Sequence, residues 1–172
     1  MEDNLRHEQI KYTGKNFSNQ NFSEQAFLGC HFIQCNLSNV IVKNTRFQEV
    51  FFKDCKIMGV LFSECNPFLL SMHFENCQIT SSVFSDLSLI GTYFHQCQIH
   101  ECDFINSDLT EASFDGSDLE RSVFENSNMT NTSFVGADNY VFDPHKNILK
   151  KTRLSLPGAL SLLYSFDVVI EP

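Results

Sequence analysis

Every fifth residue from Phe74 to Phe134 is large and apolar: Phe74, Ile79, Phe84, Leu89, Phe94, Ile99, Phe104, Leu109, Phe114, Leu119, Phe124, Met129 and Phe134. An amphipathic helix repeats apolar residues near 3.6 and a half-buried strand at 2, so a period of five fits neither and marks internal repeats. The residues two before these centres, from Met72, Cys77 and Ser82 through Ser127 and Thr132, are mostly small. Each five therefore supplies one large and one small inward side chain and three outward ones. Asn or Asp often precedes the centre, as in Asp103, Asp108, Asp118 and Asn128. Their side chains bond nearby backbone groups and suit tight turns, so each five reads as one short side and a corner.

A second period lies on the first. Every twentieth residue repeats in kind, as in Phe74, Phe94, Phe114, Phe134, or Phe84, Phe104, Phe124, or Leu69, Leu89, Leu109, Met129. Four fives then make one turn of a four-sided coil whose turns lie about 4.8 Å apart and contact mainly their neighbours. Upstream centres run Phe17, Phe22, Phe27, Phe32, Leu37, Val42, Phe47, Phe52, Ile57 and Phe62, with Lys15, Gln20 and Gln25 in the first small slots, which marks a capping turn. The frame slips by two within residues 63–68, and Leu69 is the expected next centre. Pro67 cannot donate a ladder hydrogen bond, so a corner protrusion with Phe68 exposed is expected there. Asn66, Pro67 and Phe68 are candidate partner contacts. The 24 fives give six turns, a rod about 30 Å long.

Runs such as Ser107-Asp108-Leu109-Thr110-Glu111 and Ser117-Asp118-Leu119-Glu120-Arg121 resemble the A(D/N)LXX consensus of the pentapeptide-repeat family, and the resemblance spans residues 10 to 138. It implies an all-β fold, a right-handed quadrilateral β-helix. The expected division is a solenoid over residues 1–138 and a tail over residues 139–172. In the tail, Leu156 to Tyr164 reads as a short helix with Ser155 as N-cap and Pro157 in the first turn. Phe166 to Ile170 reads as a short strand. Leu160, Leu162, Leu163, Phe166 and Val168 are more apolar surface than a cap needs, which favours a homodimer formed through the tail across a two-fold axis.

Seven cysteines, Cys30, Cys35, Cys55, Cys65, Cys77, Cys97 and Cys102, all fall two before a centre, and no CxxC occurs. They read as small buried hydrophobes, not a disulfide framework or metal site. Reduced thiols point to the cytoplasm. Met1 to Gln9 is polar, without a signal segment, and no run approaches the length of a membrane span.

Charge is partitioned sharply. Residues 1–56 hold six acids and seven bases, residues 57–138 twelve acids and one base, and residues 139–172 three acids and four bases. Such self-repulsion costs stability and suggests a use. Glu101, Asp103, Asp108, Glu111, Asp115, Asp118, Glu120, Glu125 and Asp138 are expected on all four sides of the last turns. Their density is comparable to duplex DNA, which carries a charge about every 1.7 Å, so direct nucleic-acid binding is disfavoured. The histidines have no partner at triad or closed-metal spacing, no Gly-rich phosphate loop is present, and a filled rod offers no cleft. No enzyme, cofactor or metal is expected. A surface metal site near His95, His100, Glu101 and Asp115 is the remaining chemical alternative.

The acidic half and the tail from Asp138 through Glu171 resemble the Qnr, MfpA and McbG group of that family. The resemblance implies a dimeric duplex-DNA mimic that binds a bacterial type II topoisomerase, DNA gyrase or topoisomerase IV, and protects it from quinolones or peptide toxins. On that view the acids from Glu101 to Glu125 face the DNA-binding saddle. The sequence departs from Qnr in having only a two-residue insertion near Pro67 in place of extended loops, which sets immunity to a peptide toxin beside quinolone protection. The other reading is a structural scaffold that binds another basic protein.

Overall fold

The computed structural model describes residues 5–166 and 168. Its strands are two to four residues long and every pairing is parallel. Partners are twenty residues apart: Tyr12 lies beside Phe32, Phe32 beside Phe52, Phe74 beside Phe94, Ile79 beside Ile99 and Phe104 beside Phe124. Across one turn the offset becomes 22, with Val50 beside Met72, Ile57 beside Ile79 and Leu61 beside Val83. The Asn66 N–H still reaches the Thr45 carbonyl at 3.0 Å while Val50 already donates to Ser71 at 3.0 Å, so the extra residues lie between 66 and 71.

That corner corrects one expectation. Leu69 is not an inward centre: it stands at φ 53 and is 57% exposed, while Leu70 packs on the core. The added residues push Pro67, Phe68 and Leu69 outward and hand the inward slot to Leu70. Phe68 is 63% exposed, with the Arg46 guanidinium 6.0 Å from its ring centroid.

Two columns of phenylalanine fill the axis. Phe74, Phe94, Phe114 and Phe134 stack at 4.9–5.1 Å within 10° of parallel. Phe62, Phe84, Phe104 and Phe124 stack at 4.7–5.0 Å. From Phe74 onward the columns meet edge to face at 82–90°, the arrangement that aromatic quadrupoles favour. A gap bordered by Phe22, Leu37, Val40 and Phe62 measures about 10 Å³, too little for a ligand. The small slots close the remaining hydrogen bonds: Ser117 Oγ donates to the Phe94 carbonyl at 2.6 Å and accepts the Cys97 N–H at 2.9 Å. Cysteine fills the same slot elsewhere, and all seven thiols are free and buried. Burial pushes the Cys102 thiol up to about 12, which leaves it protonated and inert at neutral pH.

The corners follow one rule. Away from the register break, the residue two after a centre lies in the left-handed region, as in Gln96 (φ 53), Glu101 (φ 55), Asn106 (φ 55) and Glu111 (φ 60). A non-glycine residue there costs about 1 kcal/mol or more. Stacked amides contribute in return: Asn39 to Asn19, Asn66 to Asn44, Asn76 to Asp54 and Asn106 to Asp86 are side-chain bonded. The Asn or Asp before the centre works as its type implies, with Asn16, Asn36, Asp108 and Asn128 accepting the N–H two residues on at 3.0–3.1 Å.

Both ends extend past the five-residue pattern. At the start, Arg6–Glu8 pairs with Ala26–Leu28, and His7 stacks on Phe27 at 4.6 Å while its ring nitrogens meet Tyr12 Oη and Gln25 Oε1. At the other end the ladder does not stop at Asp138: Asn128 bridges Ile148, and Ser133 and Phe134 pair with Arg153 and Leu154. Tyr140 and Phe142, 2% and 4% exposed, turn inward over Phe134 and close the axis.

Helix Leu156–Ala159, continued by a 3-10 turn Leu160–Phe166, lies over this plug, with Ser161 Oγ donating to the Tyr140 carbonyl at 3.1 Å. Pro157 sits in the first turn, but Ser155 caps nothing with its side chain; its Oγ accepts the Gly136 N–H instead. Leu162, expected at a dimer interface, packs on the core of its own chain. Of the expected strand Phe166 to Ile170, Phe166 ends the helical turn, and Asp167, Val169 and Ile170 lie outside the described residues.

Phe104→Ala, at a ring buried between Phe84 and Phe124, should destabilise the coil by about 3–5 kcal/mol in urea unfolding. The cap yields a paired expectation. A Cβ on Gly158 would stand 2.0 Å from Tyr140 Oη, so Gly158→Ala should lower the melting temperature. Tyr140 Oη is buried without a partner among the described residues, so Tyr140→Phe should raise stability by about 1 kcal/mol.

Candidate functional site: an acidic solenoid surface

Period two along each short side keeps the residues flanking a centre outward, and this distributes the acids. Asp115 lies beside centre Phe114; Asp118 and Glu120 flank Leu119; Asp103 and Glu125 sit beside Phe104 and Phe124; Asp108 precedes Leu109; Glu101 and Glu111 occupy corners. No single side gathers them, and the negative charge encircles the rod.

Several acids are already engaged. Glu125 pairs with Lys146 at 2.8 Å, and Glu101 with Arg121 at 3.3 Å. Asp108 accepts the Thr110 N–H at 3.0 Å. Asp115 accepts the Val135 N–H at 3.0 Å and the Ser133 hydroxyl. Asp103, Glu111 and Asp138 enter no ion pair among the described residues.

One group converges. His100 Nε2 lies 2.9 Å from Asp118 Oδ2, and ligand atoms of His100, Asp118 and Glu120 all fall within 4.8 Å of one another. Asp118 Oδ1 accepts from the Asn139 amide at 2.8 Å and the Glu120 N–H at 3.3 Å. Partial burial raises the Asp118 pKa, but the Asn139 amide and the His100 ring outweigh it and hold the carboxyl below its ordinary value. The residues expected to hold a surface metal have other partners: His95 Nε2 meets Ser113 Oγ at 3.1 Å, and Asp115 bonds one turn onward. The convergent group was reachable only by combining the twenty-residue offset with the outward positions on either side of a centre.

An outward ring column also escaped the sequence. His31, Phe51, His73 and Tyr93 stack at 5.0, 5.1 and 4.2 Å on one side of the rod. Burial, and then the neighbouring His95, pushes the His73 pKa down. Of the expected dimer residues, Leu160, Leu163, Phe166 and Val168 are exposed. At the register break Phe68 and Leu69 are exposed, as is Ile90 in the following turn. No helix among the described residues is long and apolar enough to cross a membrane.

A filled, four-sided parallel solenoid with five-residue sides presents its chemistry on its surface and defines the class to which this chain conforms. The sequence profile of a pentapeptide repeat region matches residues 25–103, and that of pentapeptide repeats in eight copies matches residues 107–138. Together they take in more than half of the chain, which belongs to the pentapeptide-repeat family. Two solved structures of trypsin-treated variants of QnrB1, a plasmid-mediated fluoroquinolone resistance protein, are similar. One has 14% identity and a TM-score of 0.70, covering 96% of this chain and 100% of that one. The other has 16% identity and a TM-score of 0.71, covering 96% and 90%. At these identities the likeness is one of fold. No curated protein sequence matches the chain.

The depressed Asp118 pKa fixes the sign of a pH effect. Its stabilisation is present above the unfolded carboxylate pKa and is lost as pH falls through the lower folded value. Asp118→Asn should therefore lower the melting temperature at pH 7, and the gap from the parent protein should narrow as pH falls below the ordinary carboxylate range.

Proposed function

We propose that this protein is a DNA mimic that binds a bacterial type II topoisomerase, DNA gyrase or topoisomerase IV, in the cytoplasm and protects it from a quinolone or a peptide toxin. It acts as a homodimer joined through the exposed apolar face of its tail, and not as an enzyme. The observation that carries the reading is the net charge of −11 over residues 57–138. Those residues make about four turns, or about 19 Å of rod, over which duplex DNA would carry about 11 charges. A duplex is charged on all sides of its axis, and acids that encircle the rod suit that imitation better than a single stripe would. The fold likeness to QnrB1 supports the same reading. With two added residues in place of long loops, a peptide toxin is as suitable an adversary as a quinolone.

A second reading, a scaffold for another basic protein, draws on the exposed Phe68, Leu69 and Ile90, an apolar contact that DNA mimicry does not use.

A gyrase supercoiling assay titrated with the protein, with and without ciprofloxacin, separates the two. Altered supercoiling or drug sensitivity at micromolar protein supports the topoisomerase reading; no effect overturns it and leaves the scaffold. The triple variant Asp115→Asn, Asp118→Asn, Glu120→Gln should weaken gyrase binding about tenfold, or about 1.4 kcal/mol, with an unchanged circular dichroism spectrum.

A further inference from the structure

We propose that His100, Asp118 and Glu120 form a binding site for a first-row divalent transition ion, with Zn²⁺ the best match. His100 follows centre Ile99 and Glu120 follows centre Leu119, so the two project outward from adjacent turns, while Asp118 comes from the other flank of Leu119. The pairing of Gln98 with Asp118 locks those turns in register. His100 Nε2 and Asp118 Oδ2, 2.9 Å apart, are nearly at the separation of two donors sharing one tetrahedral ion, about 3.3 Å for bonds of about 2.0 Å. Glu120 brings a carboxylate oxygen within 4.8 Å of both.

Orientation is supplied from outside the trio. The Asn139 amide holds Asp118 Oδ1 at 2.8 Å and leaves Oδ2 turned to His100, the kind of support that metal-ligating carboxylates receive. One imidazole and two carboxylates suit Zn²⁺ and its neighbours; the imidazole disfavours Mg²⁺ and Ca²⁺, and the absence of thiolate disfavours Cu(I). An ion entering here takes the place of the Nε2 proton, which leaves to solvent when the ring is charged. Arg121, 3.7 Å from Glu120 and 3.3 Å from Glu101, releases the first and keeps the second. The site does not depend on the topoisomerase reading, although an ion would remove two negative charges from that surface.

Isothermal titration of the tag-free, reduced full chain with ZnCl₂ tests it, with Co²⁺ absorption as a second readout. One ion per chain should bind with a Kd below about 10 μM. His100→Ala and Glu120→Gln should each weaken binding at least about tenfold, and Asn139→Ala about tenfold without touching a ligand. His95→Ala should leave binding unchanged. The absence of saturable Zn²⁺ binding overturns the site. Affinity unchanged in folded His100→Ala, equal loss in His95→Ala, or Ca²⁺ binding as tight as Zn²⁺ does so too.

Discussion

Parallel pairing in register puts most inward side chains above one of their own kind, and the rest of the structure depends on that registration. A ring buried in such a column contributes about 1.5–3 kcal/mol from area alone, with about 0.5–1.5 kcal/mol more from each well-placed aromatic neighbour. Those gains accrue only while like lies over like. A one-residue slip within a side would exchange inward and outward faces, so extra chain must enter at a corner. The break between residues 66 and 71 does this: Phe52 and Phe74 stack across it at 5.0 Å and 9°, as though nothing had been added.

The interior was legible in the sequence because one repeated slot selects one repeated kind of residue. The corners were not. Gln96, Glu101, Glu111, Arg121 and Lys151 all stand at positive φ, and none of these residue types favours that region alone; the closure of each turn imposes it. Leu69 was misplaced for the same reason, since apolar character predicts burial but not which of two adjacent leucines a protruding corner turns inward. The ends were obscured differently. The five-residue spacing lapses after Asp138 while the ladder continues, because Tyr140 and Phe142 fill the axis from positions out of frame, and Leu149 and Leu154 then return to it. At the other end His7 and Tyr12 are polar stand-ins for core rings.

The apolar tail could close the coil or pair two copies, and the geometry shows which of its residues serve the first task and which stay exposed. Leu162 is spent on the chain's own core, whereas Leu156, Leu160, Leu163 and Phe166 stay exposed on the far side of the same helical turn. A two-sided cap of this kind ends one ladder and leaves an apolar face, so capping does not compete with dimerisation.

The separation of inside from outside bears on function. Three of every five residues face outward, and although turn closure constrains some of them, it does not fix the sign of their charge. The first turns show this, with seven bases and six acids over residues 1–56 on the same architecture that later holds twelve acids and one base. The acidity of the later turns is therefore not a requirement of the fold. It is imposed on the fold against the repulsion it creates. The sole base there, Arg121, is placed between Glu101 and Glu120, where it relieves that repulsion at the corner and leaves Asp103 and Glu111 to face solvent unpaired by any described residue. On the proposed reading, that exposed acidity is what a cationic groove built to hold a polyanion would meet, and the fold leaves those outward positions free to carry it.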